Sequence, residues 1–164
     1  MTEQPQLVDR DEIPYVSVAA TVPMTGLAGA IDDGFGRVFA WLGSRGIPAT
    51  GAPFVRYVRI DMTHTLDVEL AVPVPQGTEG DAAVSAGTLP AGRYVTLLHV
   101  GHYDELVAAN ATLQAWASDQ GVTFAVTRED DGDRWQARVE QYLTNPADEP
   151  DPSRWQTELA YLTV

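Results

Sequence analysis

The sequence repeats one order of secondary-structure signals at a fixed distance. A strand-like run begins at Tyr15 and recurs at Tyr94, and an apolar pattern with helical spacing begins at Leu27 and recurs at Leu106. Both offsets are 79 residues. Because a tandem repeat restricts a chain to architectures that two equal units can build, this repeat constrains the fold more than any other feature.

The first unit reads strand, helix, strand, strand. Thr25 is the predicted N-cap of the helix, and Gly46 is its predicted C-terminal residue in a left-handed conformation. The predicted strands are Tyr15–Val22, Phe54–Ile60 and Leu66–Val74.

The second unit follows the same order, with Asp104 as the predicted N-cap and Gly121 as the end of the helix. Its predicted strands are Tyr94–Val100, Trp135–Leu143 and Trp155–Val164. The tripeptide Glu-Leu-Ala occurs in the last strand of each unit, at Glu69 and Glu158, where the offset has grown to 89. Insertions are therefore expected in polar loops of the second unit, at residues 128–133 and 145–153.

These patterns predict an α+β fold in which two βαββ modules pair about a pseudo-twofold axis. The modules form one antiparallel sheet with two main helices and a central ligand cleft. We expect a flexible N-terminal segment at residues 1–13, followed by a single domain at 14–164. Within it, the first module covers 14–74, a linker covers 75–88, and the second module covers 89–164.

Composition excludes several functional classes. A net charge of −13 opposes contact with a phosphate backbone, so direct binding to nucleic acid is not expected. The chain has no cysteine, no signal-peptide pattern and no membrane-spanning apolar run, which together predict a cytoplasmic protein. His99 and His102 have ligand-like spacing but no third partner, and there is no phosphate loop or nucleophile elbow. We therefore expect neither a metal nor a cofactor.

Glu158 is the most unusual candidate site residue, because it lies in an otherwise apolar and hydroxyl-bearing strand. Its carboxylate either faces solvent at a sheet edge or lies in a pocket, and the sequence leaves both alternatives open. Glu69 shares the repeat position but is expected to be exposed or ion-paired.

Aromatic residues supply the apolar area and ring faces of such a pocket, although each also suits core packing. The candidates are Trp41, Tyr94, Tyr103, Trp116, Tyr142 and Trp155.

Five segments in the right order carry a resemblance to a known family. They are Gly51–Tyr57, Asp67–Val74, Leu89–Tyr94, Gly101–Leu106 and the ending from Tyr142–Pro146 to Thr157–Leu159. The chain resembles the GyrI-like family of small-molecule-binding domains, the effector-binding domain of AraC-type and BmrR-type multidrug regulators. The resemblance implies a central pocket for hydrophobic, often cationic and aromatic, compounds. It also implies a ligand-binding carboxylate on the last strand, a position that Glu158 occupies.

The resemblance leaves three functional alternatives. The first is a stand-alone binding module, without the DNA-binding domain of the regulators, that senses or sequesters small molecules or confers antibiotic resistance. The second is a hydrolase that opens the cyclopropane ring of DNA-alkylating natural products, with Glu158 as general base and Tyr142 or Tyr103 as hydrogen-bond donor. The third resembles gyrase-inhibitory proteins, which act through a protein partner. The expected partner of the first two is a hydrophobic or cationic aromatic molecule, and no membrane is involved.

Overall fold

The computed structural model describes residues 3–164, within which the chain forms ten strands and two main helices. The strands are β1 (Gln6–Arg10), β2 (Ile13–Val22), β3 (Phe54–Ile60), β4 (Leu66–Pro73), β5 (Ser85–Leu89), β6 (Gly92–Val100), β7 (Val126–Glu129), β8 (Gly132–Trp135), β9 (Arg138–Tyr142) and β10 (Gln156–Leu162). The helices are α1 (Leu27–Arg45) and α2 (Leu106–Asp119). None of the helices within residues 3–164 combines the length and the apolar composition needed to cross a membrane.

The sheet confirms the predicted pairing of two βαββ modules. Its antiparallel strands run in the order β1-β6-β10-β9-β3-β4-β2-β5. The third element of each module, β3 or β9, lies at the centre, and the remaining strands follow outward in equivalent positions. The helices also start 79 residues apart, at Leu27 and Leu106, as the repeat predicts.

The two outermost strands exchange between the modules. β1 pairs with β6 of the second module, and β5 pairs with β2 of the first. Only two residues join β1 to β2 and β5 to β6, although these pairs lie toward opposite edges of the sheet. The sheet must therefore curl until its edges approach each other.

This exchange differs from the sequence prediction for the N-terminal segment and the linker. Residues 6–10 form β1 and pair with β6 at five positions, whereas residues 1–13 were expected to be flexible. Met1 and Thr2 lie outside the described residues. Residues 85–88 of the predicted linker belong to β5. Both strands are short and largely exposed, so their sequences lack the apolar alternation of a half-buried strand.

The curled sheet buries apolar residues on both faces. One face is covered by the helices, with α1 over the first module and α2 over the second. The opposite, concave face holds a separate apolar cluster that includes Tyr15, Phe54, Tyr94 and Leu162. Side chains alternate between these faces along each strand. Whether a residue stands at an odd or an even position of its strand therefore decides whether its side chain lies beneath the helices or on the concave face.

Each helix is entered through a 3-10 turn, which corrects the predicted N-caps. Thr25 and Asp104 lie inside these turns, at Met24–Gly26 and Tyr103–Glu105, and neither side chain caps the following α-helix. Gly46 does end α1 in the left-handed conformation, with φ of 65°.

The second module contains a hairpin where the sequence indicates only a loop. β7 and β8 enclose Asp130 and Asp131, and β8 extends the sheet by pairing with the end of β3. The predicted strand from Trp135 to Leu143 is therefore two strands, because residues 136–137 interrupt the strand conformation between β8 and β9.

Candidate functional site

A cleft of about 1760 Å³ lies between the two helices, above the centre of the sheet. α1 and α2 form its opposite walls, and β3 and β9 provide much of its floor. The cleft therefore lies where the two modules meet, which is a common location for a ligand site. Its volume exceeds that of a typical small-molecule pocket and is sufficient for a compound of several rings.

The polar groups on the floor come mainly from β9. Arg138, Glu140 and Tyr142 occupy alternate positions of this strand, and all three line the cleft. β9 pairs with both β10 and β3, so these side chains lie beneath the helices and away from the sheet edges.

Glu140 is the buried carboxylate of the cleft, with only 8% of its surface exposed. It accepts hydrogen bonds from the hydroxyls of Tyr57, at 2.9 Å, and Tyr142, at 3.1 Å. Its second oxygen accepts one from Asn110 Nδ2 at 3.0 Å. Within residues 3–164 no cationic nitrogen lies within 4.0 Å of this carboxylate. Three neutral donors therefore hold Glu140 without a countercharge.

The two tyrosines that contact Glu140 are held in their neutral form. Burial raises the pKa of Tyr57 and of Tyr142 well above the usual value, and the neighbouring Glu140 carboxylate raises both further. Each hydroxyl thus keeps its proton and remains a hydrogen-bond donor to Glu140. This arrangement fixes the orientation of the carboxylate.

Aromatic and apolar side chains surround this polar floor. Tyr142 makes edge contacts with Tyr103, at a centroid distance of 5.5 Å, and with Phe35, at 6.1 Å. Tyr103 packs in turn on Trp155, at 4.7 Å. Large exposed apolar side chains also line the cleft, namely Met24, Phe39, Met62, Val107 and Leu143. Apolar surface exposed in one place is typical of a binding site.

Arg138 places a guanidinium group among aromatic rings at one end of the floor. Its Cζ atom lies 4.5 Å from the ring centre of Tyr161, 4.7 Å from Trp135 and 5.8 Å from Tyr57. Its buried Nε has no hydrogen-bond partner. In the described part of the chain, no acceptor bonds this side chain and no carboxylate lies within 4.0 Å of it.

Glu158 does not line the cleft, contrary to the expectation from the sequence. It shares the concave face with Ala160 and Leu162, whereas Leu159 and Tyr161 face α2. Its carboxylate accepts a 2.5 Å hydrogen bond from Arg10 of β1. The ion pair explains how an acidic residue is accommodated in this strand.

Glu69 occupies the equivalent position in the first module. It accepts a 2.6 Å hydrogen bond from Tyr15 and lies 3.9 Å from Arg56, so it is ion-paired, which is one of the two outcomes expected from the sequence. Both repeat-related glutamates therefore lie on the concave face and pair with arginine.

Two of the predicted aromatic residues, Tyr103 and Tyr142, line the cleft. The structure places the others elsewhere. Trp155 packs on the ring of Tyr103 but does not line the cleft, and Trp116 of α2 packs against the core of the second module. Trp41 lies in the first-module core and donates to Asp81, while Tyr94 lies on the concave face and donates to the carbonyl of Pro90.

The sequence interpretation missed Tyr57, Asn110, Arg138 and Glu140. Three of the five residues of β9 are charged or carry an amide, a composition typical of a strand with a solvent-facing side. A usable signal was nevertheless present. The repeat places β9 at the centre of the sheet, where the polar side must lie beneath the helices.

The predicted histidine pair forms local hydrogen bonds. His99 is buried, and its Nε2 lies 3.2 Å from the carbonyl oxygen of His102. Across residues 3–164, no group of three or more histidine, aspartate and glutamate side chains is arranged to hold a metal ion.

The sequence and the fold match known proteins. The family model of the GyrI-like small molecule binding domain matches residues 3–161, nearly the whole chain. No curated protein sequence matches the chain.

Several solved structures share the architecture. The crystal structure of the EcmrR C-terminal domain is 21% identical, with a TM-score of 0.72 over 98% of this chain and 97% of that one. In an EcmrR–DNA complex the TM-score is 0.76 at 21% identity, over 98% of this chain but only 57% of that longer chain. The structure of SAV2435 bound to tetraphenylphosphonium is 13% identical, with a TM-score of 0.61 over 99% and 94%. A hydrolase from Listeria innocua is 15% identical, with a TM-score of 0.64 over 98% and 92%.

Proposed function

Because this chain belongs to the GyrI-like family of small-molecule-binding domains, we propose that its cleft binds hydrophobic compounds that carry a positive charge, often on an aromatic system. Such binding would serve sensing, sequestration or resistance. The observation that carries the proposal is Glu140, a carboxylate buried to 8% exposure in an apolar cleft without a contacting cation.

Electrostatics favours a cation at this position. Removing a carboxylate from water is unfavourable, and a bound cation offsets that loss, whereas an apolar molecule alone does not. The net charge of −13 also raises the local concentration of cations around the whole protein. Tetraphenylphosphonium, the compound bound to SAV2435, has this combination of charge and aromatic surface.

The walls of the cleft favour aromatic ligands. Phe35, Tyr103 and Tyr142 present ring edges and faces around Glu140, and such rings attract both apolar surface and positive charge. The exposed apolar residues on the rim extend this surface beyond the floor. Shape is therefore less restrictive than charge, as expected for a site that accepts several related compounds.

We expect Glu140→Gln to weaken the binding of rhodamine 6G, a cationic multi-ring dye, by about 10- to 100-fold. The substitution keeps the shape of the side chain but removes the charge that compensates the cation, and a charge-assisted contact contributes about 1.5–3 kcal/mol. Fluorescence anisotropy of the dye measures the dissociation constant directly.

Glu158→Gln is the matched control, because it removes the same charge from the concave face of the sheet. It should leave dye affinity within about twofold of the wild type, since surface charge acts only weakly over that distance in salt. Loss of affinity in Glu158→Gln but not in Glu140→Gln would contradict the proposed site. The sequence-based assignment to the last strand would then stand.

A second candidate function is hydrolysis in the same cleft. Glu140 and the two tyrosine hydroxyls that contact it are groups suited to general acid–base chemistry, and all three side chains line the cleft. For a cyclopropane-bearing alkylating compound, Glu140 would take a proton from the water as the water oxygen bonds to a ring carbon. The ring C–C bond would break with its electron pair passing to the conjugated carbonyl, Tyr142 would hydrogen-bond the resulting enolate oxygen, and the proton from Glu140 would then neutralise the enolate. Product with a mass increase of one water, absent in Glu140→Gln, would support turnover. Stoichiometric binding with no product would exclude it.

A further inference from the structure

We propose that the preferred ligand of the cleft is amphoteric, with its positive end at Glu140 and a carboxylate at Arg138. The inference rests on the proposed function, because it concerns the same cleft, and it adds a requirement that Glu140 alone does not impose. A hydrophobic cation would pair with Glu140 and leave Arg138 without a partner.

The first argument is the state of the Arg138 guanidinium. A guanidinium group carries five N–H donors arranged in a planar fork, which suits a carboxylate with two acceptor oxygens. Three aromatic rings hold it in place, yet no acceptor within residues 3–164 bonds any of its nitrogens. Arg138 is half-buried, its buried Nε has no partner, and the side chain lines the cleft, where a ligand's carboxylate can reach its N–H donors.

The contrast with the other buried or half-buried arginines supports this argument. Arg59 bonds the Asp67 carboxylate, and Arg56 bonds a tyrosine hydroxyl and a backbone carbonyl. Arg10 bonds Glu158. Arg56 also has a buried Nε without a partner, but each of these three side chains has at least one acceptor within the fold. Arg138 contacts ring faces and lines the cleft.

The second argument is the spacing of the two charges. Arg138 and Glu140 lie two residues apart on the same face of β9, about 7 Å along the strand. They do not form an ion pair at 4.0 Å or less. The floor thus presents a positive and a negative group side by side, and each remains available to a ligand.

This pair of charges selects against singly charged ligands. A ligand with only a positive charge is attracted by Glu140 but repelled by Arg138. A ligand with only a negative charge is attracted by Arg138 but repelled by Glu140. A compound with both groups on one aromatic framework meets complementary charge at both positions. The chemical class is therefore an aromatic compound that bears an amine or iminium group and a carboxylate.

Rhodamine 19 and its ethyl ester, rhodamine 6G, test this requirement because they share one chromophore. The free acid carries both charges, whereas the ester retains only the positive one. We expect the wild-type protein to bind rhodamine 19 about tenfold more tightly, as measured by fluorescence anisotropy at pH 7.5. Arg138→Met should remove this preference by weakening the zwitterion about tenfold while leaving the ester unchanged or slightly tighter.

Further variants separate ligand binding from folding. Arg138→Lys keeps the charge but loses the planar fork, and it should retain part of the preference. Arg37→Met removes the same charge from the exposed side of α1 and should behave as the wild type. Thermal melting of each variant identifies any that is unfolded at the assay temperature. If Arg138→Met is unfolded, the comparison of the two dyes on the wild type and on Arg138→Lys decides.

The outcomes distinguish this inference from the proposed function. Equal affinity of the wild type for both dyes, with Glu140→Gln still weakening rhodamine 6G, would overturn only the role of Arg138. Equal weakening of both dyes by Arg138→Met would show that the guanidinium only packs among the rings. Failure of both dyes to bind the wild type would overturn the proposed function and this inference together.

Discussion

Replacing Gly34 by valine is expected to lower the free energy of unfolding by about 3 kcal/mol. Gly34 lies in α1 where the helix packs closest to β4. A Cβ atom at this position would lie 2.5 Å from Cγ and 2.7 Å from Cβ of Leu70, which is fully buried. Either the helix must move away from the sheet or Leu70 must leave its rotamer, and both responses disturb a densely packed core. Urea-induced unfolding followed by circular dichroism measures the change.

Gly36→Ala is the matched control in the same helix. No atom lies within 4 Å of a Cβ built at Gly36, so the substitution meets no neighbour. It should raise stability by about 0.5–1 kcal/mol, because alanine favours a helix more than glycine does. Gly36→Val is the control of equal size and should cost little, because its Cβ meets no neighbour. A loss of stability similar to that of Gly34→Val would show that the cost comes from valine in the helix and not from Leu70. Combining Gly34→Val with Leu70→Ala should then recover none of it.

Gly34 also illustrates what the sequence could and could not predict. The spacing of apolar residues from Leu27 to Leu42 predicted α1, and the helix formed as expected. Glycine is unfavourable inside a helix, so helix propensity does not explain why Gly34 stands there. The cause is the approach of α1 to Leu70, a contact between residues 36 positions apart that the sequence does not specify.

The paired architecture was predictable because the repeat supplied information about tertiary structure. Equal offsets at Tyr15 and Leu27 indicated two equivalent modules, and the order of the six inner strands follows from pairing them. The outer strands β1 and β5 had no such signal. Each crosses to the other module and pairs along one side, so its stability depends on a partner distant in the sequence.

The site was harder to predict because the sheet buries both faces. In β10, the two residues that follow Glu158 are Leu159 and Ala160, and both are fully buried, on opposite faces of the sheet. Apolar alternation therefore does not show which face the helices cover. A shift of one position along the strand moves a carboxylate from the cleft to the concave face, and Glu158 lies on the concave face. The cleft carboxylate belongs instead to the neighbouring strand, at Glu140.

Tyr161→Ala should have the largest effect on stability, about 4 kcal/mol, because it removes a fully buried ring from the centre of the second module. This ring contacts Phe124 at a centroid distance of 5.1 Å and Trp135 at 5.3 Å. It also lies 4.5 Å from Cζ of Arg138. Truncation leaves a cavity beside a charged group that loses one of its supporting rings, so collapse of the surrounding side chains can recover little of the lost packing.

Tyr161→Phe removes the hydroxyl and keeps the ring, so it measures the contribution of the hydroxyl to stability and to ligand affinity in the cleft. The hydroxyl donates to Asn110 Oδ1 at 2.5 Å, and Asn110 in turn donates to Glu140. Removing the hydroxyl keeps the packing, so we expect a loss of only about 1 kcal/mol in urea unfolding. Asn110 is then held less firmly, and the affinity for rhodamine 6G should fall about two- to threefold although Tyr161 itself lies behind the floor. A cost close to that of Tyr161→Ala would show that the hydrogen bond, rather than the ring, stabilises this region. An unchanged affinity would show that Asn110 positions Glu140 without help from Tyr161.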